Sequence, residues 1–127
     1  MQVVGRSMEP TYHDGDLIRR GGRPFSWSRG DVAVLRVDTR RHDMKRVIGL
    51  PGERVAWNGR GAVWINERPL DEPYARFAPA VPGDDDMREM VLREDEYFVA
   101  GDDRLHSRDS RQCGVVRREH LLERVES

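Results

Sequence analysis

Three short stretches hold the residues able to do chemistry. Ser7 lies in Gly5-Arg-Ser-Met-Glu-Pro-Thr11, where a Ser followed by Met and then a Pro-Thr turn puts a hydroxyl on an irregular edge rather than in a strand centre. Lys45 opens Lys45-Arg-Val-Ile-Gly-Leu-Pro-Gly-Glu53, an unusual place for a lysine because the run behind it is apolar. The third stretch is Gly101-Asp-Asp-Arg-Leu-His-Ser-Arg-Asp-Ser-Arg111, dense in short polar groups. These types suffice for nucleophilic catalysis without histidine. A serine hydroxyl attacks, and a lysine whose ammonium form is disfavoured by burial accepts the proton. In the third stretch the alternation Ser107, Asp109, Arg111 puts three side chains on one face of an extended segment. Ser107 there can hydrogen-bond an amine, while Asp109 and Arg111 can pair and hold the loop. Taken singly, each stretch also has a plainer reading: a turn hydroxyl, a solvated edge lysine, a charged surface loop.

The elements that must position these residues read as β. Asp31-Val-Ala-Val-Leu-Arg-Val37 and Met44-Lys-Arg-Val-Ile48 read as strands, the second stopping at Gly49-Leu-Pro-Gly52. Arg54-Val-Ala-Trp57 and Ala62-Val-Trp-Ile65 read as a hairpin around a tight Asn58-Gly59 turn. Tyr97-Phe-Val-Ala100 is a further strand ending at Gly101. No sustained helical period is present, and the best helical candidate is Arg118-Glu-His-Leu-Leu122. The stretch from Pro69 to Glu96 reads as a long surface excursion, with Asp84-Asp85-Asp86 as a solvated turn.

Bulk properties exclude several classes. A length of 127 residues suits one domain, and 22 basic against 23 acidic residues give no general pull toward nucleic acid. The one cysteine, Cys113, cannot form an internal disulfide and reads as a small apolar filler. His13, His42, His106 and His120 have no zinc-site spacing, so no metal and no cofactor is expected. No stretch approaches the ~20 apolar residues needed to cross a bilayer. Phe25 and Trp27, in Arg23-Pro-Phe-Ser-Trp-Ser28, suit either contact with a membrane surface or cover for the core, with the core preferred.

Together, in order and spacing, the three stretches resemble the type I signal peptidases. These are serine peptidases with a Ser–Lys dyad, and their kind includes inner-membrane and leader-peptide maturation proteases. The resembling residues are Ser7-Met8, Pro10-Thr11; Lys45-Arg46, Gly49, Pro51-Gly52; and Gly101-Asp102, Ser107, Asp109-Ser110-Arg111. Arg29-Gly-Asp-Val-Ala-Val34 and Asn66-Glu-Arg-Pro-Leu-Asp-Glu-Pro-Tyr74 are similar to further family segments, so the resemblance covers nearly the whole chain. It implies a mainly β fold of twisted antiparallel sheets, of the signal-peptidase and Ser–Lys autoprotease type, with one or two short helical turns. It implies a single catalytic domain over 1–127, with a short insertion around 66–96.

The resemblance also implies roles. Ser7 attacks the scissile carbonyl and forms an acyl-enzyme; Lys45 takes the proton and later activates water. Ser107 orients the Lys45 amine, while Asp109, Arg111 and Asp102 support the loop. Gly5, Ser7 and Met8 form the oxyanion and substrate-binding side, with the Ser7 N–H as donor. Some members carry a serine where this chain has Gly5, and the family usually has Asn where this chain has Asp103. Asp43 lies two residues before Lys45 and shares its face in a strand, where a carboxylate favours the charged amine. Expected partners are precursor proteins with signal or leader peptides, with small residues before the cut, and a membrane surface, but no nucleic acid. The family's location is the extracytoplasmic face of a membrane; the absence of an anchor in this chain leaves a soluble or cytoplasmic location open. It also leaves open a soluble maturation protease trimming one dedicated partner. A repressor-type autoprotease needs a cleavage site ahead of the nucleophile, and only six residues precede Ser7. A non-catalytic β binding domain is the remaining alternative.

Overall fold

The computed structural model describes residues 1–83 and 86–126, so Asp84 and Asp85 of the acidic run lie outside the described residues. Among the described residues the strands are β1 (Arg19–Arg20), β2 (Val32–Arg36), β3 (His42–Gly49), β4 (Arg54–Trp57), β5 (Val63–Ile65), β6 (Arg68–Pro69), β7 (Arg88–Val91), β8 (Glu96–Ala100), β9 (Val116–Arg117) and β10 (Leu121–Glu126). Among the same described residues one short helix, α1, spans Ser110–Cys113, and a single 3-10 turn covers Arg118–His120. The strands form a six-stranded sheet in the order β1-β10-β2-β3-β8-β9 and a four-stranded sheet in the order β6-β5-β4-β7. All pairings between these strands are antiparallel, as expected for the fold class.

Apolar patterning explains the layers. Val32-Ala-Val-Leu35 of β2 is buried at every position, because the larger sheet is covered on both faces. One face carries Ala33, Leu35, Val47, Tyr97 and Val99, packed with Trp27 and Leu121. The other carries Val32, Val34 and Met44 under Val3 and Met8 of the N-terminal segment. Further along that second face, Ile48, Phe98 and Ala100 pack against Val55, Trp57, Val63 and Ile65 of the smaller sheet. At roughly 25 cal/mol per Å² of apolar area, each fully buried large side chain contributes about 1.5–3 kcal/mol.

Four local expectations are corrected. Leu121 and Leu122 belong to strand β10, not to a helix, because pairing with β2 and burial of Leu121 outweigh a weak helical preference. The segment after Pro69 is not all excursion: Arg88–Val91 pairs with β4 and completes the small sheet. The hairpin after β4 is not a tight Asn-Gly turn. Its left-handed residue is Gly61, at φ 84°, and the Asn58 side chain accepts from Arg60 N–H and Ala62 N–H, both at 3.1 Å. Cys113 is exposed rather than a core filler, because the short helix carrying it buries only Ser110.

Candidate active site

β3 brings Lys45 into the interior. It pairs with Ala33 of β2, and only 5% of its surface is exposed. The β8 pairing of β3 begins at Arg46 and Ala100, so His42–Lys45 have no strand partner on the β8 side. The loop from Gly101 to Asp109 fills the space beyond β8, and Lys45 Nζ donates to Ser107 Oγ at 3.0 Å.

The hydrogen-bond polarity around Ser107 is fixed by its neighbours. Its hydroxyl donates to Asp109 Oδ2 at 2.7 Å, because a carboxylate can only accept. Its lone pairs are therefore left to the Gly101 N–H at 3.1 Å and to Lys45. Asp109 is held in turn by Arg111, with Nε to Oδ1 at 2.8 Å and Nη2 to Oδ2 at 3.1 Å, and by the Gly101 N–H at 2.9 Å. Asp109 also caps α1, and Gln112 returns a side-chain bond to its backbone. Burial pushes the Asp109 carboxyl up, but the hydrogen bonds and charge of Arg111, with Ser107 and Gly101, outweigh it and hold Asp109 below the ordinary carboxylate range.

Burial pushes the Lys45 amine down from its ordinary value. Asp109 and Asp43 pull it up, Arg111 and Arg41 push it down, and burial decides the sign. Asp43 does share the Lys45 face, but Arg41 Nη2 stands 3.4 Å and 3.5 Å from its two oxygens and offsets its field.

Ser7 is brought up by its backbone. Its carbonyl accepts from the Asp103 N–H at 2.9 Å. A Cβ added to Gly101 would overlap both this oxygen and Ser107 Oγ, so the Ser7 loop and the hydroxyl that holds Lys45 converge on one glycine. Met8 is 1% exposed and anchors the loop in the core; Ser7 beside it is half-buried. Gly5 has φ 86°, which favours glycine over serine, and its N–H is taken by Asp14 Oδ1 at 2.8 Å. The Ser7 N–H has no acceptor among the described residues, which leaves it open to an incoming oxyanion. Ser7 Oγ and Lys45 Nζ are not hydrogen-bonded to each other. Ser7 borders a cavity of about 570 Å³, and Lys45 borders one of about 250 Å³.

Asp102 does more than shape its own loop. It is fully buried, receives a bidentate bond from Arg46 at 2.8 and 2.7 Å, and accepts from Thr11 Oγ1 at 2.6 Å. One carboxylate thus ties together all three motifs, and the Arg46 guanidinium stacks on the Tyr74 ring at 3.9 Å. Sequence reading missed a second buried pair beneath the loop, Arg104 with Glu72. Arg104 also reaches the carbonyls of Gly101 and Gly61, and Tyr74 donates to Glu72 at 2.8 Å. A charged residue inside each similar segment was the only signal for it. Asp103 accepts from His106 or pairs with it at 2.9 Å through Oδ2, and its buried Oδ1 has no partner among the described residues. Among the described residues no cluster of three metal-ligating side chains is found.

A buried lysine on an oriented hydroxyl, and a serine with an open N–H on a loop that meets that hydroxyl at Gly101, are groups able to carry acyl transfer. Known proteins give the family. The chain is 31% identical to "Signal peptidase I" of Bacillus caldolyticus, over 98% of this chain and 75% of that protein. It is 28% identical to "Signal peptidase I V" of Bacillus subtilis (strain 168), over 95% and 79%. A crystal structure of a signal peptidase I from Enterococcus faecalis V583 superposes with a TM-score of 0.56 at 27% identity, covering 80% of this chain and 97% of that one. The family profile described as "Signal peptidase, peptidase S26" matches residues 1–127, and the chain belongs to that family.

Proposed function

We propose that this chain is a serine endopeptidase that cleaves signal peptides from precursor proteins, acting as one catalytic domain with Ser7 as nucleophile and Lys45 as general base. Membership of the signal peptidase family supports the reaction class and the substrate class. The observation that carries the residue roles is the Lys45 amine, 5% exposed, held by a hydroxyl whose proton is already committed to Asp109. An amine so held keeps its lone pair for a second neighbour.

In this reading Ser7 Oγ attacks the scissile carbonyl while its proton passes to Lys45 Nζ. The oxyanion gathers at the Ser7 N–H. Collapse expels the amine of the mature protein, which takes the proton back from Lys45 and leaves an acyl-Ser7. Lys45 then activates a water that hydrolyses the ester. An extended substrate adds along the open β3 edge at His42–Lys45. Phe25, 96% exposed, is available to a lipid surface, whereas Trp27 belongs to the core. No helix among the described residues is long and apolar enough to cross a membrane.

The test is cleavage of a peptide with Ala-x-Ala before the cut. Wild-type protein is expected to cleave it, while Ser7→Ala and Lys45→Ala are expected to be folded and inactive. Cleavage that survives Ser7→Ala rejects the nucleophile.

A further inference from the structure

Between helix α1 and the end of the smaller sheet lies a polar cavity of about 390 Å³, apart from the two that Ser7 and Lys45 border. Arg111 lines it, and the Arg111 side chain is only 8% exposed. Its Nε and Nη2 are spent on Asp109 and on the carbonyls of Ser107 and Arg104. Its Nη1 has no acceptor among the described residues.

The strand register sends a second guanidinium the same way. Arg88 of β7 stands opposite Trp57 of β4, and directly opposite residues of an antiparallel pair share a face. Trp57 packs on Phe98, with ring centroids 5.1 Å apart, and Met90 of β7 packs on the same core. Arg88 therefore lies on the inner face at the open end of the sheet, where it lines the cavity. Glu89 lies on the other face and pairs with Arg54 at 3.2 Å. Arg88 itself forms no ion pair among the described residues.

Two amides on the wall are left as donors. Asn58 Oδ1 is taken by the N–H groups of Arg60 and Ala62, and Gln112 Oε1 by the Asp109 N–H at 2.9 Å, so each side chain keeps its NH2 group. Against them the described wall carries one carboxylate, Asp86, which is exposed. Two guanidiniums and two amide donors against one carboxylate suit an anion, and the arginine fork matches the geometry of an oxyanion.

We propose that this cavity is a binding site for a small oxyanion of the phosphate type, held by Arg111 and Arg88, and that its occupancy slows the chemistry at Lys45. The coupling half rests on the reading of Lys45 as the base; the binding half does not. The guanidinium that would hold the anion is the one that holds Asp109, which orders Ser107 and so seats Lys45. The charges that face Lys45 are Asp109, Asp43, Arg111 and Arg41, and Arg111 favours the neutral amine. An anion on Arg111 offsets that field and favours the ammonium.

The test titrates inorganic phosphate into the protein by calorimetry, against sodium chloride of equal ionic strength. Saturable binding is expected for the wild type. Arg88→Glu is expected to weaken it by about tenfold or more, and Arg68→Glu, the same charge change on the opposite edge strand β6, to leave it within about twofold. Asp86→Asn is expected to tighten it. On an Ala-x-Ala peptide, saturating phosphate is expected to lower wild-type kcat/KM near neutral pH by about threefold and to move the ascending limb to higher pH. Arg88→Glu is expected to keep the activity of the phosphate-free wild type at the same phosphate concentration. Absence of saturable binding overturns the proposal, as does binding that Arg88→Glu retains or that Asp86→Asn weakens. Binding that depends on Arg88 but leaves the limb in place overturns the coupling to Lys45. Binding that depends on Arg88, in a protein that cleaves no peptide, supports the anion site and overturns the protease reading instead.

Discussion

Adding one methyl group at Gly101 should disable the site without replacing Ser7, Lys45 or Ser107. The Gly101 Cβ would stand 2.5 Å from the Ser7 carbonyl oxygen and would overlap Ser107 Oγ more closely still. Ordinary contact begins at 3.4 Å, so the Ser7 backbone has to retreat by ~0.9 Å or the Ser107 side chain has to leave its rotamer. The first movement stretches the Asp103 N–H bond to Ser7; the second breaks the seat of Lys45 Nζ. Gly101 itself has no positive φ, so the effect is steric and not one of backbone preference. Overpacking of a buried position costs about 1–3 kcal/mol of stability. A misplacement near 1 Å between reacting groups lowers the rate by ~100-fold. Gly101→Ala is therefore expected to fold with a lowered thermal midpoint and to lose about two orders of magnitude in kcat/KM on an Ala-x-Ala peptide. Gly22→Ala serves as the control, because Gly22 has φ 77° but open space around its Cβ. It is expected to lose some stability and no activity. A Gly101→Ala protein within about twofold of wild-type kcat/KM, at an unchanged midpoint, refutes the convergence of Ser7 and Ser107 on this residue.

Two further predictions concern the lysine. Lys45 has its folded-state pKa lowered from 10.5, so between that value and the ordinary one the unfolded chain binds more protons and stability rises with pH. The burial penalty is fully present below the folded pKa and gone above about 10.5, where both states are neutral. Lys45→Met should therefore be inactive yet more stable than wild type at pH 7, with the advantage vanishing above pH ~10.5; thermal melts across pH check this, and a variant less stable at pH 7 contradicts it. Asp43→Asn removes a charge that favours the ammonium, so the ascending limb of kcat/KM should move to lower pH, while Arg41→Ala should move it to higher pH. Limbs that coincide with wild type in both variants would remove the Arg41–Asp43 pair from any role in tuning the base.

Much of the frame was legible along the chain because it depends on short-range pattern. Alternation and β-branched runs marked β2, β3, β4, β5 and β8. The order of the three polar motifs pointed to the family, and the two-residue spacing of Asp43 and Lys45 set their common face. Other features were not legible, because they depend on residues far apart in sequence. Leu121 became a strand residue only through pairing with β2, and Arg88–Val91 only through pairing with β4. Thr11 and Arg46 meet at Asp102, and Arg104 meets Glu72, across separations that no local pattern records.

The sequence by itself determined which groups were present and in what order: Ser7, Lys45, and the Ser107–Arg111 loop. Tertiary structure decided what they could be. A lysine at the start of a strand is solvated or buried according to what covers it, and only the packed loop excludes water from Lys45. A serine hydroxyl can donate or accept, and only the placement of Asp109 against Arg111 commits the Ser107 proton and leaves its lone pairs for the amine. Chemical identity is carried by the residue, but pKa and hydrogen-bond direction belong to its surroundings, and those are assembled from distant parts of the chain.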